Sequence, residues 1–341
     1  MESTLDAVRA AGSHGGRASR YATFAWTALG ANLAVILWGA FVRASGSGAG
    51  CGSHWPLCNG EVVPRSPSAA TLIELAHRVS SGLALLLVAG LIVGAWRVFP
   101  RGHLVRRSAA AVGIFMVLEA LIGAGLVLLE LVAGNTTVAR AWWMAGHLVN
   151  TFLLVAALTL TAWWATHEAP PRVREAGSLA VALGLALAGM LVLGVSGAVT
   201  ALGDTLFPVA TLAEGEALTF SGAAHVFVRL RLWHPVLACV VGGLIVAAAL
   251  HAARTRREAT VSLVARALVG VFGLNLAVGA LNVWWLAPLP VQLVHLLLAD
   301  LVWITLVVLA ASALAARVTV ADRGHAPEDG VMITAEEDLA S

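Results

Sequence analysis

Four histidines lie inside long apolar segments of this sequence: His77, His147, His234 and His295. An ionisable side chain in such a segment is expensive to bury and indicates a functional site. Each histidine follows the start of its segment by about five or six residues, so at about 1.5 Å of rise per residue all four would lie at a similar depth. Two neutral imidazoles that face each other across a helix bundle suit a six-coordinate haem iron. Zinc and copper sites usually need three protein ligands, often with a carboxylate. The histidines therefore predict two haem sites.

The segments that carry these histidines are long enough to cross a membrane. Of the 341 residues, 59% are hydrophobic and 12% are charged, and the mean hydropathy is +0.87. Apolar runs of about twenty residues match the bilayer core, whereas a β-barrel shows alternating segments of roughly ten. Eight helical spans are predicted, near residues 22–42, 71–96, 108–130, 141–165, 177–200, 229–252, 262–286 and 289–317. The predicted fold class is an all-α integral membrane protein.

The two halves of the chain repeat one pattern. The corresponding pairs are Gly39-Ala40-Phe41-Val42 with Gly197-Ala198-Val199-Thr200, Ile122-Gly123-Ala124 with Val278-Gly279-Ala280, His77 with His234, and His147 with His295. Because each half has an even number of spans, both enter the membrane from the same side, which requires a pseudo-twofold axis along the membrane normal. We therefore expect two four-helix bundles, over residues 21–165 and 166–317. A disordered leader over 1–20 and a disordered tail over 318–341 would flank them.

The arginines are concentrated on one side of the membrane. They are most frequent before the first span, between spans two and three, four and five, and six and seven, and after the eighth. The positive-inside rule then predicts that both termini are cytoplasmic and that the long loops over 43–70 and 201–228 face outward. The expected surroundings are membrane lipid, and the net charge of +2 gives no indication of nucleic-acid binding.

The first outer loop and the helix after it carry further reactive residues. Cys51 and Cys58 lie on the outer side, where a disulfide can form and persist, either as a structural link or as a redox-active pair. Glu74 precedes His77 by three residues, so both lie on one helix face. Thr71 and Glu74 have the form of a capping box, and the alternative is a carboxylate held against the edge of a haem. The matching residue of the second half is Arg231, which favours chemistry in the first half only.

Other charged residues have two interpretations each. Arg43 and Arg78, near the outer ends of spans, would pair with haem propionates or would be ordinary flanking arginines. Glu119 and Asp300 lie inside spans. They indicate either a proton path or hydrogen bonds between helices.

Three motifs carry a resemblance to a known family. They are Gly39-Ala-Phe-Val-Arg43-Ala-Ser-Gly46-Ser-Gly48, then Cys51 with Trp55-Pro56-Leu57-Cys58-Asn59-Gly60, then Glu74-Leu-Ala-His77-Arg78. Together with the second-half histidines they strongly resemble haem A synthase over roughly residues 22–317. The sequence differs from the usual family pattern at His54, where an Asp is common, and at Asn59, where a His is common. Its second outer loop also lacks the Cys pair that some members carry.

The resemblance implies a bacterial plasma-membrane enzyme that oxidises the C8 methyl of haem O to the formyl group of haem A, for use in terminal oxidases. His77 and His147 would hold the substrate haem, and His234 and His295 would hold a haem b that passes electrons. The Cys51–Cys58 pair and Glu74 would belong to the catalytic half, with Glu74 acting at the oxidised methyl carbon. The implied partners are haem O synthase and terminal oxidase assembly factors, and a homo-oligomer is compatible with this function.

One other class of protein explains the four histidines equally well. A di-haem b cytochrome that exchanges electrons with quinol would need the same ligands, but it leaves Glu74 and the cysteine pair unexplained. A repeat-built transporter would instead have helices broken near the membrane centre. No proline lies at the centre of a predicted span, which argues against it.

Overall fold

The computed structural model describes residues 2–167 and 169–315, and over these ranges the regular structure is helical apart from two isolated bridges. The α-helices are α1 (Glu2–Ala44), α2 (Ala69–Val98), α3 (Leu104–Leu128), α4 (Val138–Trp164), α5 (Ser178–Leu206), α6 (Leu212–Phe220), α7 (Val226–Leu230), α8 (Trp233–Thr255), α9 (Ala259–Trp284) and α10 (Leu289–Ala313). Short 3-10 helices cover Ser47–Ala49 and Val173–Ala176.

Eight helical segments are long and apolar enough to cross a membrane, as the sequence predicts. Seven of them lie within the single helices α1, α2, α3, α4, α5, α9 and α10, and the sixth span joins α7 and α8 over Val226–Thr255. Large apolar side chains are exposed along these helices, which is the surface that faces lipid in a membrane protein. The chain is therefore an all-α, multi-pass membrane protein.

Three parts of the chain differ from the prediction or fall outside it. The disordered leader over 1–20 stays a prediction, although α1 begins at Glu2. The second outer loop is also more regular than expected, because α5 continues to Leu206 and α6 and α7 follow. The predicted disordered tail over 318–341 lies outside the described residues.

The helix contacts join neighbours within each half and a smaller set across the halves. In the first half α2 contacts α1 and α3, and α4 contacts α1 and α3; in the second, α8 contacts α5 and α9, and α10 contacts α5 and α9. Contacts of α4 with α5 and α10, and of α1 with α10, join the halves. There Trp303 stacks on Phe152 and donates to its carbonyl at 2.7 Å. The arrangement as two pseudo-twofold bundles stays a prediction.

The packed core lies at the opposite end of the bundle from the four histidines. The residues of the main core run from Phe152 to Ala162 in α4, after His147, and from Val302 to Ala313 in α10, after His295. A small second cluster contains Ala141, Leu202 and Phe227. All four histidines are half-buried instead. Tight packing at one end holds the helices together, while the level of the imidazoles is more open.

Candidate functional site

The first outer loop is fastened to the start of α2. A disulfide joins Cys51 to Cys58, as the sequence allows, and both residues are buried. A side chain at Gly50 would lie 2.4 Å from the Ala70 carbonyl, so glycine is required for this close approach. The Gly50 carbonyl accepts a hydrogen bond from the Thr71 hydroxyl at 2.8 Å. The loop therefore has one docked position on the helix that carries His77.

Glu74 and Arg78 hold the same loop from its other side. The Cys51 amide donates to Oε2 of Glu74 at 2.9 Å. Arg78 donates to Oε1 of Glu74 from Nε at 3.2 Å and from Nη2 at 2.5 Å. Its Nη1 donates to the carbonyls of His54 at 2.7 Å and Leu57 at 2.6 Å. Both side chains of this buried ion pair thus contact the disulfide loop directly.

These contacts change two interpretations from the sequence. The capping box at Thr71 and Glu74 is wrong: the N-cap is Ser68, whose hydroxyl accepts from the Thr71 amide at 3.1 Å, so Glu74 lies beyond the positions that need a cap. Arg78 is engaged by the loop carbonyls and Glu74. Its pairing with a haem propionate stays a prediction, and so does the catalytic role of Glu74.

Each of the four histidines packs against a glycine of a neighbouring helix. A methyl group added at Gly39 would lie 2.9 Å from Cε1 of His77, and one at Gly197 would lie 3.0 Å from Cε1 of His234. The corresponding distance from Gly279 to Cε1 of His295 is 2.9 Å, and from Gly123 to Nε2 of His147 it is 4.0 Å. The repeated glycines of the sequence are therefore the surfaces on which the imidazole rings lie.

The second-half histidines are spaced as one haem iron requires. The ring centroids of His234 and His295 are 6.3 Å apart, with the ring planes at 89°. Two metal–imidazole bonds of about 2 Å each, together with the half-widths of two rings, span about 6 Å. The Ser196 hydroxyl lies 2.9 Å from Nδ1 of His234, which leaves Nε2 as the ligating atom. The residues present fit a bis-histidine haem.

In the first half, His147 has a charged partner. Oε1 of Glu119, on α3, lies 3.2 Å from Nδ1 of His147, so Nε2 is again the atom left for a metal. The Asn150 side-chain amide donates to the other oxygen of Glu119 at 2.6 Å, and the Thr151 hydroxyl contacts Oε1. Nδ1 of His77 and Nδ1 of His147 are both buried without a hydrogen bond among the described residues, so Glu119 lies close to the His147 ring without the geometry of a hydrogen bond. Of the two interpretations of Glu119, the contacts favour hydrogen bonding between helices.

Arg43, in the last turn of α1, joins the two halves. Its Nη1 donates to the Ala201 carbonyl at 2.8 Å and to the Thr205 hydroxyl at 2.7 Å, both on α5. Nη2 donates to Oε1 of Gln292 on α10 at 3.4 Å. A propionate contact of Arg43 stays a prediction. In the second half Arg231 pairs with Asp204 at 2.7 Å and so fastens α7 to the end of α5.

Gly39→Ala should weaken haem binding in the first half about tenfold or more. Its methyl group would press on the His77 ring, and overpacking of this kind typically costs about 1–3 kcal/mol. Gly30→Ala is the matched control on α1, because its methyl group would meet no atom within 4 Å. Haem content per purified chain is the measurement. Equal haem retention by both variants would contradict the assignment of Gly39 as a seat for His77.

Sequence reasoning missed two features of this site. The glycines were recognised as a repeat but not as contacts of the histidines. The pairing of Glu119 with His147 was also missed, although Glu119 lies one helical turn before Gly123 in a repeated segment. The available signal was the alignment of the two halves, which pairs each residue with its counterpart and so marks positions with a shared or a divergent packing role.

Comparison with known proteins adds independent information. Residues 22–307 match the family model COX15-CtaA, described as cytochrome oxidase assembly protein. Two proteins from different strains of Thermus thermophilus, both named protoheme IX farnesyltransferase, are 47% identical over 315 residues, which is 92% of this chain and 52% of theirs. A protein from Bacillus mycoides named heme A synthase is 45% identical over 95 residues, which is 28% of this chain and 30% of that one. The chain thus spans about half the length of its Thermus relatives. Its match to the family model over most of its length shows that the chain belongs to the COX15-CtaA, or haem A synthase, family of cytochrome oxidase assembly proteins.

Proposed function

We propose that the chain is a haem A synthase, which oxidises the C8 methyl group of haem O to a formyl group. The observation that carries the proposal is the difference between the two halves. Glu74, bound to a disulfide loop, lies three residues before His77, whereas Arg231 occupies the matching place before His234. A protein that only passed electrons between two equivalent haems would not need a carboxylate and a disulfide loop beside one of them alone.

The first half would bind the substrate. His77 and His147 would ligate the iron of haem O, and the loop over Cys51–Cys58 would close the outer end of the pocket. Oε2 of Glu74 accepts one hydrogen bond among the described residues, and a carboxylate oxygen can accept two. The remaining acceptor position would stabilise positive charge as it develops at the methyl carbon. The ion pair with Arg78 and the Cys51 amide would hold the carboxylate in place.

The second half would bind a resident haem b between His234 and His295. Conversion of the methyl group to a formyl group would take one oxygen atom from water and release four protons and four electrons. When bound, this haem supplies a one-electron carrier, which would pass these electrons one at a time to an external acceptor. Ser196 would fix the orientation of the His234 ring by its contact with Nδ1. Gly197 and Gly279 would let the two rings lie close to the neighbouring helices.

The name of the Thermus relatives supports a proposal about which enzyme supplies the substrate. Their name, protoheme IX farnesyltransferase, describes a reaction that attaches a farnesyl group to protohaem. This chain matches only 52% of their length, which leaves room for a farnesyltransferase in the other part of those proteins. We therefore propose that a haem O synthase supplies the substrate, and that terminal oxidase assembly factors receive the product. The enzyme would lie in a bacterial plasma membrane with both termini cytoplasmic, in contact with lipid and compatible with a homo-oligomer.

The haem content of the protein tests this function. The chain is expressed in a host that makes haem O but has no haem A synthase, and the haems of the cells and of the purified protein are extracted and separated. We expect haem A in the cells, and haem b together with haem O or haem A in the protein. The same host with an empty vector is the control. Two equivalents of haem b and no haem A would identify a di-haem cytochrome instead.

A further inference from the structure

Glu119 is the one carboxylate that the described residues place against a haem-ligand histidine of the site. Its Oε1 lies 3.2 Å from Nδ1 of His147. The Asn150 amide donates to Oε2 at 2.6 Å and also to the Phe115 carbonyl at 2.9 Å, and the Thr151 hydroxyl contacts Oε1. These donors surround the carboxylate and fix it as a hydrogen-bond acceptor. Glu119 lies on α3, whereas His147, Asn150 and Thr151 all lie on α4.

The second half replaces this arrangement by neutral residues. The repeat that aligns Gly123 with Gly279 aligns Glu119 with Asn275, so an amide stands in the place of the carboxylate. The repeat that aligns His147 with His295 aligns Asn150 and Thr151 with Leu298 and Ala299. The carboxylate and both side chains that hold it are therefore absent from that register.

The side chain next to Nδ1 of His234, in the second half, is also neutral. The Ser196 hydroxyl lies 2.9 Å from Nδ1 of His234, and a hydroxyl has no formal charge. A carboxylate charge 3.2 Å from Nδ1 of His147 makes Nε2 of the same ring a more basic ligand, which a neutral group does much less. A more basic axial ligand stabilises the ferric state of a haem relative to the ferrous state. The charge and polarity around an axial ligand are among the main factors by which a protein sets a haem potential.

We propose that Glu119 is a positioning residue that acts through His147 to give the haem of the first half a lower reduction potential than the haem of the second half. The inference rests on the proposed function in so far as both halves bind haem. Electrons released at the substrate site would then pass downhill, one at a time, to the ferric haem between His234 and His295, and an external electron acceptor would reoxidise that haem after each transfer. The repeat would have produced two similar sites, and one buried carboxylate would set the direction of electron flow between them.

Glu119→Gln tests the proposal, because it removes the charge and keeps the shape. The purified protein carrying two haems is titrated spectroelectrochemically, and the wave of the first half is identified as the one that remains in His234→Ala. We expect the ratio of ferrous to ferric haem in the first half to rise at least tenfold at a fixed potential, an upward shift of about 59 mV. The wave of the second half should not move. Ser196→Ala is the control, with a much smaller shift confined to the second half.

The reciprocal variant keeps the proposal testable where Glu119→Gln does not retain haem. Asn275→Glu places a carboxylate in the matching register beside His295 and should lower the potential of the second-half haem. Unchanged potentials in these variants, or equal shifts in both halves, would overturn the proposal. The measurement needs only haem b in both sites. A wild-type protein that binds two haems but makes no haem A would therefore refute the proposed function and leave this test intact.

Discussion

Glu74→Gln should lower haem A formation by about a hundredfold or more while the protein keeps both of its haems. A preorganised charge that stabilises a developing charge typically contributes a factor of this size to a rate. Glutamine keeps the length of the side chain and an oxygen that can accept from the Cys51 amide, so the loop should remain docked. The measurement is the ratio of haem A to haem O extracted from cells that produce equal amounts of each variant.

Glu61→Gln is the matched control for this prediction. Glu61 lies in the same outer loop and pairs with Arg65 at 3.8 Å, but its side chain is 43% exposed and that of Arg65 is 93% exposed. Exposed ion pairs contribute little to stability, so this variant should make haem A at the wild-type level. A similar loss in both variants would show that any removal of negative charge from this face disturbs the enzyme.

A second comparison separates chemistry from loop anchoring, because the structure gives Glu74 both contacts. Arg78→Gln removes the donors to the His54 and Leu57 carbonyls and leaves the Glu74 carboxylate in place. Loosening of the loop can be followed by the rate at which Cys51 and Cys58, both buried, react with a thiol reagent after mild reduction. A catalytic role requires Glu74→Gln to lose far more activity than Arg78→Gln at equal or slower thiol labelling. Equal losses that follow the labelling rate would assign Glu74 to anchoring alone.

Each membrane span could be predicted by itself, because a transmembrane helix needs no partner segment for its backbone hydrogen bonds. A helix in lipid forms its backbone hydrogen bonds internally, so its length and apolar composition are sufficient evidence for it. The eight predicted spans accordingly match the structure to within a few residues at most ends. The outer segment over 201–228 has no such requirement. Its helices α6 and α7 are short and depend on local caps and neighbours, so apolar length did not reveal them.

Capping signals show why local patterns are ambiguous. Thr211 and Glu214 form the same motif as Thr71 and Glu74, and there the Thr211 hydroxyl does accept from the Glu214 amide at 3.1 Å as the N-cap of α6. At α2 the helix starts three residues earlier, at a cap formed by Ser68. Glu74 is thereby released to bind the disulfide loop, a partner that is distant in sequence. The motif alone does not distinguish the two cases.

The four histidines could be singled out from the sequence, but their surroundings could not. The histidines stood out because ionisable residues are rare in apolar spans. The contacts of His77 with Gly39 and of His147 with Glu119 depend on how two helices are rotated against each other, which a single span does not encode. The alignment of the two halves of the sequence contained part of the information about these contacts. Residues that match between halves, such as Gly123 and Gly279, report shared packing, and residues that differ, such as Glu119 and Asn275, report divergent roles.

His234→Ala should stop haem A formation while leaving substrate haem bound, and His77→Ala should instead remove the substrate haem. Each variant removes an axial ligand from one site, so each should lose about one haem per chain. Under the proposed function, the first half of His234→Ala keeps Glu74, the disulfide and both proposed ligands, but the electrons would have no second haem to enter. We expect haem O to accumulate in the purified protein and the haem A yield to fall by more than about tenfold, since removal of any essential member of a reaction pathway removes most of its flux. Haem extraction and quantification against protein measure both effects.

His167→Ala is the control, because His167 is exposed at the end of α4 and stacks on Trp163 with the ring centroids 3.8 Å apart. It should keep two haems and full activity. A smaller replacement sharpens the test: His234→Gly leaves space for free imidazole, which should restore the second haem and haem A formation together. Recovery of haem without recovery of activity would mean that the second haem is structural. Undiminished haem A in His234→Ala would mean that the substrate half delivers its electrons elsewhere, and the division of labour between the two halves would then be wrong.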